Sequence, residues 1–251
     1  MNYKNNSKWK VSWSNRKSDL VKNYDFLHNI TIPKRAETLS LFQQYAKFIP
    51  EKEKIFIDLG TGTGAVAFSI LERYNDAKAI LIDGSKPMLE KAQEIANRKR
   101  YNIDKIIYQD LNEKDWINKC NLKSLYPLIV SSLTIHHLIN KEKARLFKDI
   151  YKLLFPSGRF IYMDVIEMET KEEEKFHFDL WVEEIIRNKI KYGVNLKTFE
   201  EEREWLINAQ AAQGDIPAKI SFILDSLKKA GFKKYGIVWF YVKFSMFIGI
   251  K

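Results

Sequence analysis

The sequence predicts a doubly wound α/β fold built on a mostly parallel sheet. Short runs rich in Ile, Val and Leu alternate with helical segments between residues 54 and 166, and two further β-rich runs end the chain. Near-continuous apolar strands separated by helices are typical of a parallel sheet that helices cover on both faces. Glycines directly after the first strand indicate a ligand site at the edge of that sheet.

Residues 1–50 precede the alternating pattern and are predicted to form an N-terminal helical segment. From Lys34 onward, Leu39, Phe42 and Ala46 recur at helical spacing. The segment also carries nine Lys or Arg against three Asp or Glu, so it holds much of the positive charge of the chain. We expect it to cap the main domain, which spans residues 51–251.

The main domain follows a regular order of elements. Helices are predicted over 64–74, 86–99 and 140–155, and a Pro-Ser-Gly turn at 156–158 closes the last of them. The last two strands are close enough in sequence to form an antiparallel pair. The predicted strands are 54–59, 77–83, 104–110, 125–133, 159–166, 234–240 and 242–250.

Residues 167–230 interrupt the alternation with three successive helical segments. We predict that this insertion, between the fifth and sixth strands, forms a helical lid. Trp181 belongs to an apolar run suited to a substrate wall, and Arg187 and Arg203 are suited to an acidic substrate. Plain helix packing is the alternative for each of them.

Three glycines, Gly60, Gly62 and Gly64, lie where the first strand turns into a helix. Glycine accepts a positive φ and lets a ligand approach the backbone, and the following helix offers unpaired N–H groups. The spacing also fits the fingerprint of dinucleotide-binding proteins. Asp58 argues against that alternative, because its carboxylate would repel a pyrophosphate but suits a ligand with an ammonium and a sulfonium.

Acidic residues follow three neighbouring strands. Asp58, Asp83 and Asp110 stand at the carboxyl ends of the first, second and third predicted strands. In a parallel sheet these ends converge on one crevice, where ligands of such folds bind. The alternative is that each acid caps a helix, but three acids together with the glycines favour one binding site.

Four segments together resemble the class I S-adenosylmethionine (SAM)-dependent methyltransferases: "FIDLGTGTGAVAFSI", "AILIDGSKPMLEKA", "YQDL" and "IVSSLTIHHL". Two segments, "KDIYKLLFPSGRFIYMD" after the fourth strand and "LKKAGFKKYGIVWFYVKFSMFIG" near the end of the chain, are most similar to ubiquinone-type methyltransferases and carboxy-SAM synthases. The resemblance implies a Rossmann-like sheet of seven strands with the last one antiparallel. It also implies SAM as the cofactor, S-adenosylhomocysteine as the product and no metal.

The resemblance implies a role for each residue of a cofactor site. The first acid and the glycines flank the methionine part, and the Ser131 backbone lies near its amino group. Asp83 binds the ribose, Asp110 and Leu111 hold the adenine, and Tyr24 closes over the cofactor. The implied cofactor-binding set is Tyr24, Asp58, Gly60, Gly62, Asp83, Asp110, Leu111 and Ser131.

Two adjacent histidines, His136 and His137, follow the fourth strand. A hydroxyl or carbon-acid acceptor benefits from a general base, and an imidazole near its ordinary pKa can serve. We expect one ring to face the crevice and the other to face the helix. The alternative is a structural role in the turn, and a thiolate or neutral amine acceptor would need no base.

The composition excludes several classes of protein. The single cysteine, Cys120, excludes an internal disulfide and a multi-cysteine zinc site, and no apolar run approaches the roughly 20 residues of a membrane span. We expect a cytoplasmic methyltransferase of small-molecule acceptors, monomeric or homodimeric. The net charge of +10 keeps an RNA acceptor, most of all tRNA, as an alternative. A carboxy-SAM synthase-like reaction is another.

Overall fold

The computed structural model describes residues 21, 23–47, 54–122 and 125–251. Residues 1–20 of the predicted N-terminal helical segment lie outside this part. Within it, the strands are β1 (Ile55–Leu59), β2 (Lys78–Asp83), β3 (Ile103–Tyr108), β4 (Tyr126–Ser132), β5 (Leu154–Glu167), β6 (Ala218–Lys219), β7 (Lys234–Tyr241) and β8 (Phe244–Ile250).

The strands form one mostly parallel sheet, which confirms the predicted α/β class. Its order is β3-β2-β1-β4-β5-β8-β7, and β6 pairs with β5 beside this path. β8 runs antiparallel to both of its neighbours, β5 and β7. The order reverses between β1 and β4, so a crevice opens there at the carboxyl ends of the strands.

Helices cover the sheet and extend beyond it. Two of them begin with a capping box, Thr170 with Glu173 and Thr198 with Glu201, which explains their sharp starts. A 3₁₀ turn, Ile135–His137, follows β4. The described helices are α1 (Tyr24–Thr31), α2 (Arg35–Ala46), α3 (Ala65–Arg73), α4 (Lys86–Lys99), α5 (Trp116–Lys119), α6 (Asn140–Leu153), α7 (Lys171–Lys191), α8 (Phe199–Gln213) and α9 (Ile220–Ala230).

Two hydrophobic cores lie on opposite faces of the sheet. Neighbouring residues of β1 divide between them, because Phe56 packs in one core and Ile57 in the other, and both are fully buried. The first core includes Phe42 of α2 and Trp181 of α7, and the second includes Phe147 of α6. The central strands are therefore apolar on both faces, as their sequences predict.

The predicted insertion over 167–230 divides into two parts. α7 packs against α1, where Trp181 Nε1 donates to the Thr31 carbonyl at 2.7 Å, and α8 packs against α7. The third helix, α9, packs in the second core through Ile223 and Leu227, so it belongs to the layer that covers the sheet. The short strand β6 between α8 and α9 was not predicted, since two residues carry no periodicity.

The predicted turn at 156–158 lies within β5. Tyr126 pairs with Leu154 and Leu128 pairs with Arg159, so β5 holds extra residues against β4. This bulge absorbs the Pro-Ser-Gly sequence without ending the strand.

Among the described helices, none combines the length and the apolar character that a membrane crossing requires.

Candidate functional site

A cavity of about 400 Å³ opens at the carboxyl ends of β1, β2 and β4. Its wall is formed by the glycine turn, the residues after these strands, and the helices α1 and α2. Most of the cofactor-binding residues implied by the sequence line this one cavity: Tyr24, Asp58, Gly60, Gly62, Asp83, Asp110 and Leu111.

The glycine turn needs bare backbone at two positions. Gly60 has φ +65°, and a Cβ there would lie 2.1 Å from the Thr134 side chain. Gly62 has φ +56°, and its N–H donates to Asp83 Oδ2 at 2.8 Å. The turn therefore contacts the loop after β4 through Gly60 and the end of β2 through Gly62.

The Asp58 carboxylate lies at the base of the cavity and is 1% exposed. Its Oδ2 accepts hydrogen bonds from Thr61 Oγ1 at 2.8 Å and from the Ala67 amide, in the first turn of α3, at 3.2 Å. Burial raises the pKa of Asp58 to about 7, against the lowering effect of these bonds. Asp58 thus bonds to the first turn of α3 while it lines the cavity, but the N-cap residue of that helix is Gly64.

The two other acids are oriented by local backbone bonds. Asp83 Oδ1 accepts from the Ser85 amide at 2.7 Å, just before α4. Asp110 Oδ1 accepts from the amide and the side chain of Asn112 at 2.8 and 2.9 Å. Asp110 is oriented by Asn112, which follows it in sequence, whereas Asp83 is held by Ser85 and by the Gly62 amide.

The N-terminal helices close one side of the cavity. The Tyr24 ring packs against His28 with centroids 3.9 Å apart, and it lies beside Gly62. Asp25 accepts from Thr63 Oγ1 at 3.0 Å and pairs with Arg35 at 2.7 Å. Sequence reasoning missed Asp25 and Arg35, because Thr63 lies far from both in sequence and no motif marks them.

A second polar cluster adjoins the cavity below the loop after β4. His136 Nδ1 bonds to Asp164, whose other oxygen accepts from the His136 amide at 2.8 Å. Asp215, after α8, faces His136 Nε2 at 3.5 Å and His137 Nδ1 at 3.3 Å. His137 lines the cavity, as expected of one ring, whereas His136 faces Asp164 of β5 and Asp215 and not a helix. Asp164 and Asp215 were not predicted.

The two histidines have opposite electrostatics. Burial opposes a charge on His136, but the carboxylates of Asp164 and Asp215 outweigh it and raise its pKa to about 10. Burial and the neighbouring His136 lower the pKa of His137 to about 4. Burial would raise the pKa of Asp215, but both histidines outweigh it and lower it far below its ordinary value. His136 is therefore cationic and His137 neutral near pH 7.

Five predicted site residues do not line the cavity, and one of them is His136, which Asp164 and Asp215 enclose. Ser131 is buried and its hydroxyl donates to the Leu59 carbonyl at 2.7 Å, while the next residue, Ser132, lines the wall. Trp181 is buried against α1. Two arginines of the insertion pair with acids on α7: Arg187 with Glu183 and Glu184, and Arg203 with Asp179.

Residues 57–160 match the family model described as a methyltransferase domain. This stretch contains the glycine turn and the cavity-lining ends of β1, β2 and β4. The chain carries a methyltransferase domain over this stretch, and it is an enzyme that uses SAM as its cofactor and gives S-adenosylhomocysteine as the product. The predicted enzyme class and cofactor are thereby confirmed.

Curated relatives place the methyltransferase near one branch of the class. It is 26% identical over 229 residues to a carboxy-SAM synthase of Nautilia profundicola, covering 91% of this chain and 90% of that protein. A carboxy-SAM synthase of Campylobacter jejuni is 27% identical over 230 residues, with the same coverage of 91% and 90%.

Solved structures support the fold. The structure described as PigF with SAH aligns with a TM-score of 0.64 and 18% identity, covering 99% of this chain and 64% of that chain. The cyclopropane synthase MmaA2 from Mycobacterium tuberculosis aligns with a TM-score of 0.57 and 16% identity, covering 81% and 63%. The methyltransferase thus spans less than two thirds of either neighbour.

Proposed function

We propose that this methyltransferase transfers the methyl group of SAM to a small-molecule acceptor that enters the same cavity. The observation that carries the proposal is the cover formed by α1 and α2. Asp25 joins Thr63 of the glycine turn to Arg35 of α2. A base within a polynucleotide would have to pass this cover, whereas a small molecule fits beneath it.

The residues of the cavity suit the chemistry of SAM. A SAM molecule supplies a methyl group on a cationic sulfur, and the protein has only to align the acceptor and exclude water. We assign the ribose hydroxyls to Asp83 and the adenine to Asp110 and Leu111. Ser132 replaces Ser131 near the methionine amino group, since it is the member of the pair that lines the cavity.

We further propose that His137, rather than His136, contacts the acceptor. His137 lines the cavity, so its ring is the one of the pair that an acceptor in the cavity can contact. His136 is enclosed by Asp164 and Asp215 and carries a proton already, so it cannot take another.

A carboxy-SAM synthase-like reaction is the second candidate. The relatives of that name cover about nine tenths of this chain, which favours it. A carboxylated cofactor would need a cation at the cavity. Arg35 is the one Arg or Lys of the described part that lines it, and its guanidinium bonds to Asp25 and Asn29.

Two measurements distinguish the candidates. The full chain is incubated with SAM and either a low-molecular-mass metabolite fraction or total tRNA, and released S-adenosylhomocysteine is measured. Stimulation by the metabolite fraction alone is expected, and stimulation by tRNA alone would overturn the small-molecule acceptor. Mass spectrometry of the nucleoside released from the purified protein would reveal a carboxylated SAM if the second candidate were correct.

A further inference from the structure

Three side chains beside the cavity converge on one point. His136 Nε2 and His137 Nδ1 lie 3.5 and 3.3 Å from the same oxygen of Asp215, Oδ1. All three atoms lie within 4.8 Å of one another. Both distances exceed an ordinary N–H···O hydrogen bond of about 2.7–3.2 Å. Asp215 is 91% buried, since its side chain is 9% exposed, and its Oδ1 makes no hydrogen bond to the residues that the structure describes.

The partners of His136 fix which nitrogen faces Asp215. Both Asp164 oxygens are occupied, because Oδ1 bonds to His136 Nδ1 and accepts from the Val165 amide, while Oδ2 accepts from the His136 amide. Nδ1 therefore donates to Asp164, and Nε2 is the ring nitrogen that faces Asp215 Oδ1. Without an ion, the proton on Nε2 of the cationic ring lies between this nitrogen and the carboxylate oxygen, and a metal ion would take the place of that proton.

The two distances to Asp215 Oδ1 match those between neighbouring ligand atoms of a metal site. Zinc binds imidazole nitrogen and carboxylate oxygen at about 2.0–2.2 Å in tetrahedral geometry, which separates neighbouring ligand atoms by about 3.3–3.6 Å. The two distances to Asp215 Oδ1 fall in this range. Asp164 behind His136 Nδ1 is the outer carboxylate that commonly orients a metal-binding imidazole.

The loops that carry the three residues are fixed to each other. Lys143 is 2% exposed, and its Nζ donates to the carbonyls of Leu138 and Ile216 at 2.5 Å each. The Ile216 amide donates to the His136 carbonyl at 2.8 Å. The site is therefore held in place before any ion binds, as a metal site of defined geometry requires.

We propose that His136, His137 and Asp215 bind one divalent transition-metal ion of the zinc class. Two imidazoles and one carboxylate form a donor set that such ions accept, with a fourth position for water or an acceptor oxygen. His137 also lines the cofactor cavity, so the ion would stand at its wall. The sequence indicated no metal, and the inference does not depend on the proposed acceptor.

The test is a zinc titration of the full chain after removal of metals with a chelator. Zn²⁺ competes with a chromophoric chelator of known affinity, and we expect one ion per chain. Asp215→Ala should weaken the affinity by more than about 100-fold, and Asp164→Asn by about 10–100-fold. His177→Gln on α7 and Asp225→Ala on α9 are matched controls outside the cluster and should leave it unchanged.

X-ray absorption at the zinc edge of the wild-type protein gives a readout that needs no variant. Two imidazole nitrogens in the first shell at about 2.0–2.1 Å are expected. Fewer than two would overturn the proposal. Two results of the zinc titration would also overturn the proposal. If the wild-type protein binds no zinc, a proton and not a metal ion bridges the cluster. If Asp215→Ala binds zinc as tightly as the wild type, the ion lies elsewhere.

Discussion

The two halves of the cavity are built in different ways. The glycine half consists of Asp58 to Gly64 with Asp83 and Asp110, and its polar bonds are mostly local: Thr61 bonds to Asp58 and Ser85 to Asp83. The histidine half consists of His136, His137, Asp164 and Asp215. Its members come from the ends of β4, β5 and α8, and His136 and Asp164 are separated by 28 positions.

The difference shows what each half is shaped for. The glycine half presents backbone groups and single carboxylates, which suit a cofactor common to a whole class of enzymes. The histidine half is a closed network of four titratable groups assembled by tertiary contacts. Substitutions that disturb one half and spare the other test this division.

The largest effect is expected from the buried carboxylate of the glycine half. Asp58 has a pKa of about 7 in the folded chain against 3.8 as its ordinary value, so the folded state holds an extra proton between these values. The free energy of unfolding should therefore fall as pH rises from about 4 to about 7, by on the order of 4 kcal/mol, and stay level above.

Urea unfolding across this pH range measures the effect. Asp58→Asn should abolish the fall in unfolding free energy that Asp58 causes between about pH 4 and pH 7, because the amide oxygen still accepts hydrogen bonds but does not ionise. Asp104→Asn, at an exposed position of β3, is the control and should keep it. An unchanged slope in Asp58→Asn would assign the pH dependence to other groups, including those of the histidine half.

The next effect concerns the contact between the two halves. Gly60→Ala should destabilise the fold by about 2–4 kcal/mol, since the new methyl group meets Thr134 and a positive φ disfavours alanine. Gly236→Ala in β7 has open space and should stay within about 1 kcal/mol of wild type. Denaturant unfolding of the two variants measures their stabilities. If Gly60→Ala were as stable as Gly236→Ala, the close approach of Gly60 to Thr134 would be contradicted.

Asp83→Ala should weaken SAM binding on the order of 100-fold, because hydrogen bonds from two ribose hydroxyls to a charged acceptor are lost. Calorimetric titration with SAM measures the affinity. Asp104→Ala, an exposed aspartate of β3, should bind SAM as the wild type does. If Asp83→Ala bound SAM as tightly as the wild type, the assignment of the ribose hydroxyls to Asp83 would be wrong.

The smallest effect is expected from loosening the histidine half alone. Lys143→Met leaves the carbonyls of Leu138 and Ile216 without their donor, and should cost about 1–2 kcal/mol. SAM affinity should stay within about threefold, because the glycine half keeps its bonds. Lys148→Met, exposed on the same helix, is the control. A large loss of SAM affinity would show that the two halves are coupled.

The sequence predicted which residues of the glycine half lie at the cavity, because its signals are local, and their roles in binding the cofactor remain predictions. Seven of the eight proposed cofactor residues line the cavity, and the exception, Ser131, is displaced by a single position. Alternation along a strand sends adjacent residues to opposite sides, and the apolar run before Ser131 gives no sign of which serine faces the cavity.

The substrate residues of the insertion were harder to predict. A helical segment fixes the spacing of Trp181, Arg187 and Arg203, but not the element on which it packs. Trp181 instead bonds to Thr31 across 150 positions, and both arginines pair with acids of α7. Their roles as substrate contacts remain predictions, and the cavity itself offers Arg35 in their place.

The sequence by itself determined the α/β class, the order of the strands along the chain, and the turn with its acids. Apolar periodicity and glycine conformation act over a few residues, so a linear pattern is enough to reveal them. Only the tertiary structure decided the cover over the cavity and the convergence of two histidines with Asp164 and Asp215. Such contacts depend on how whole elements pack, and packing joins residues that no sequence spacing relates.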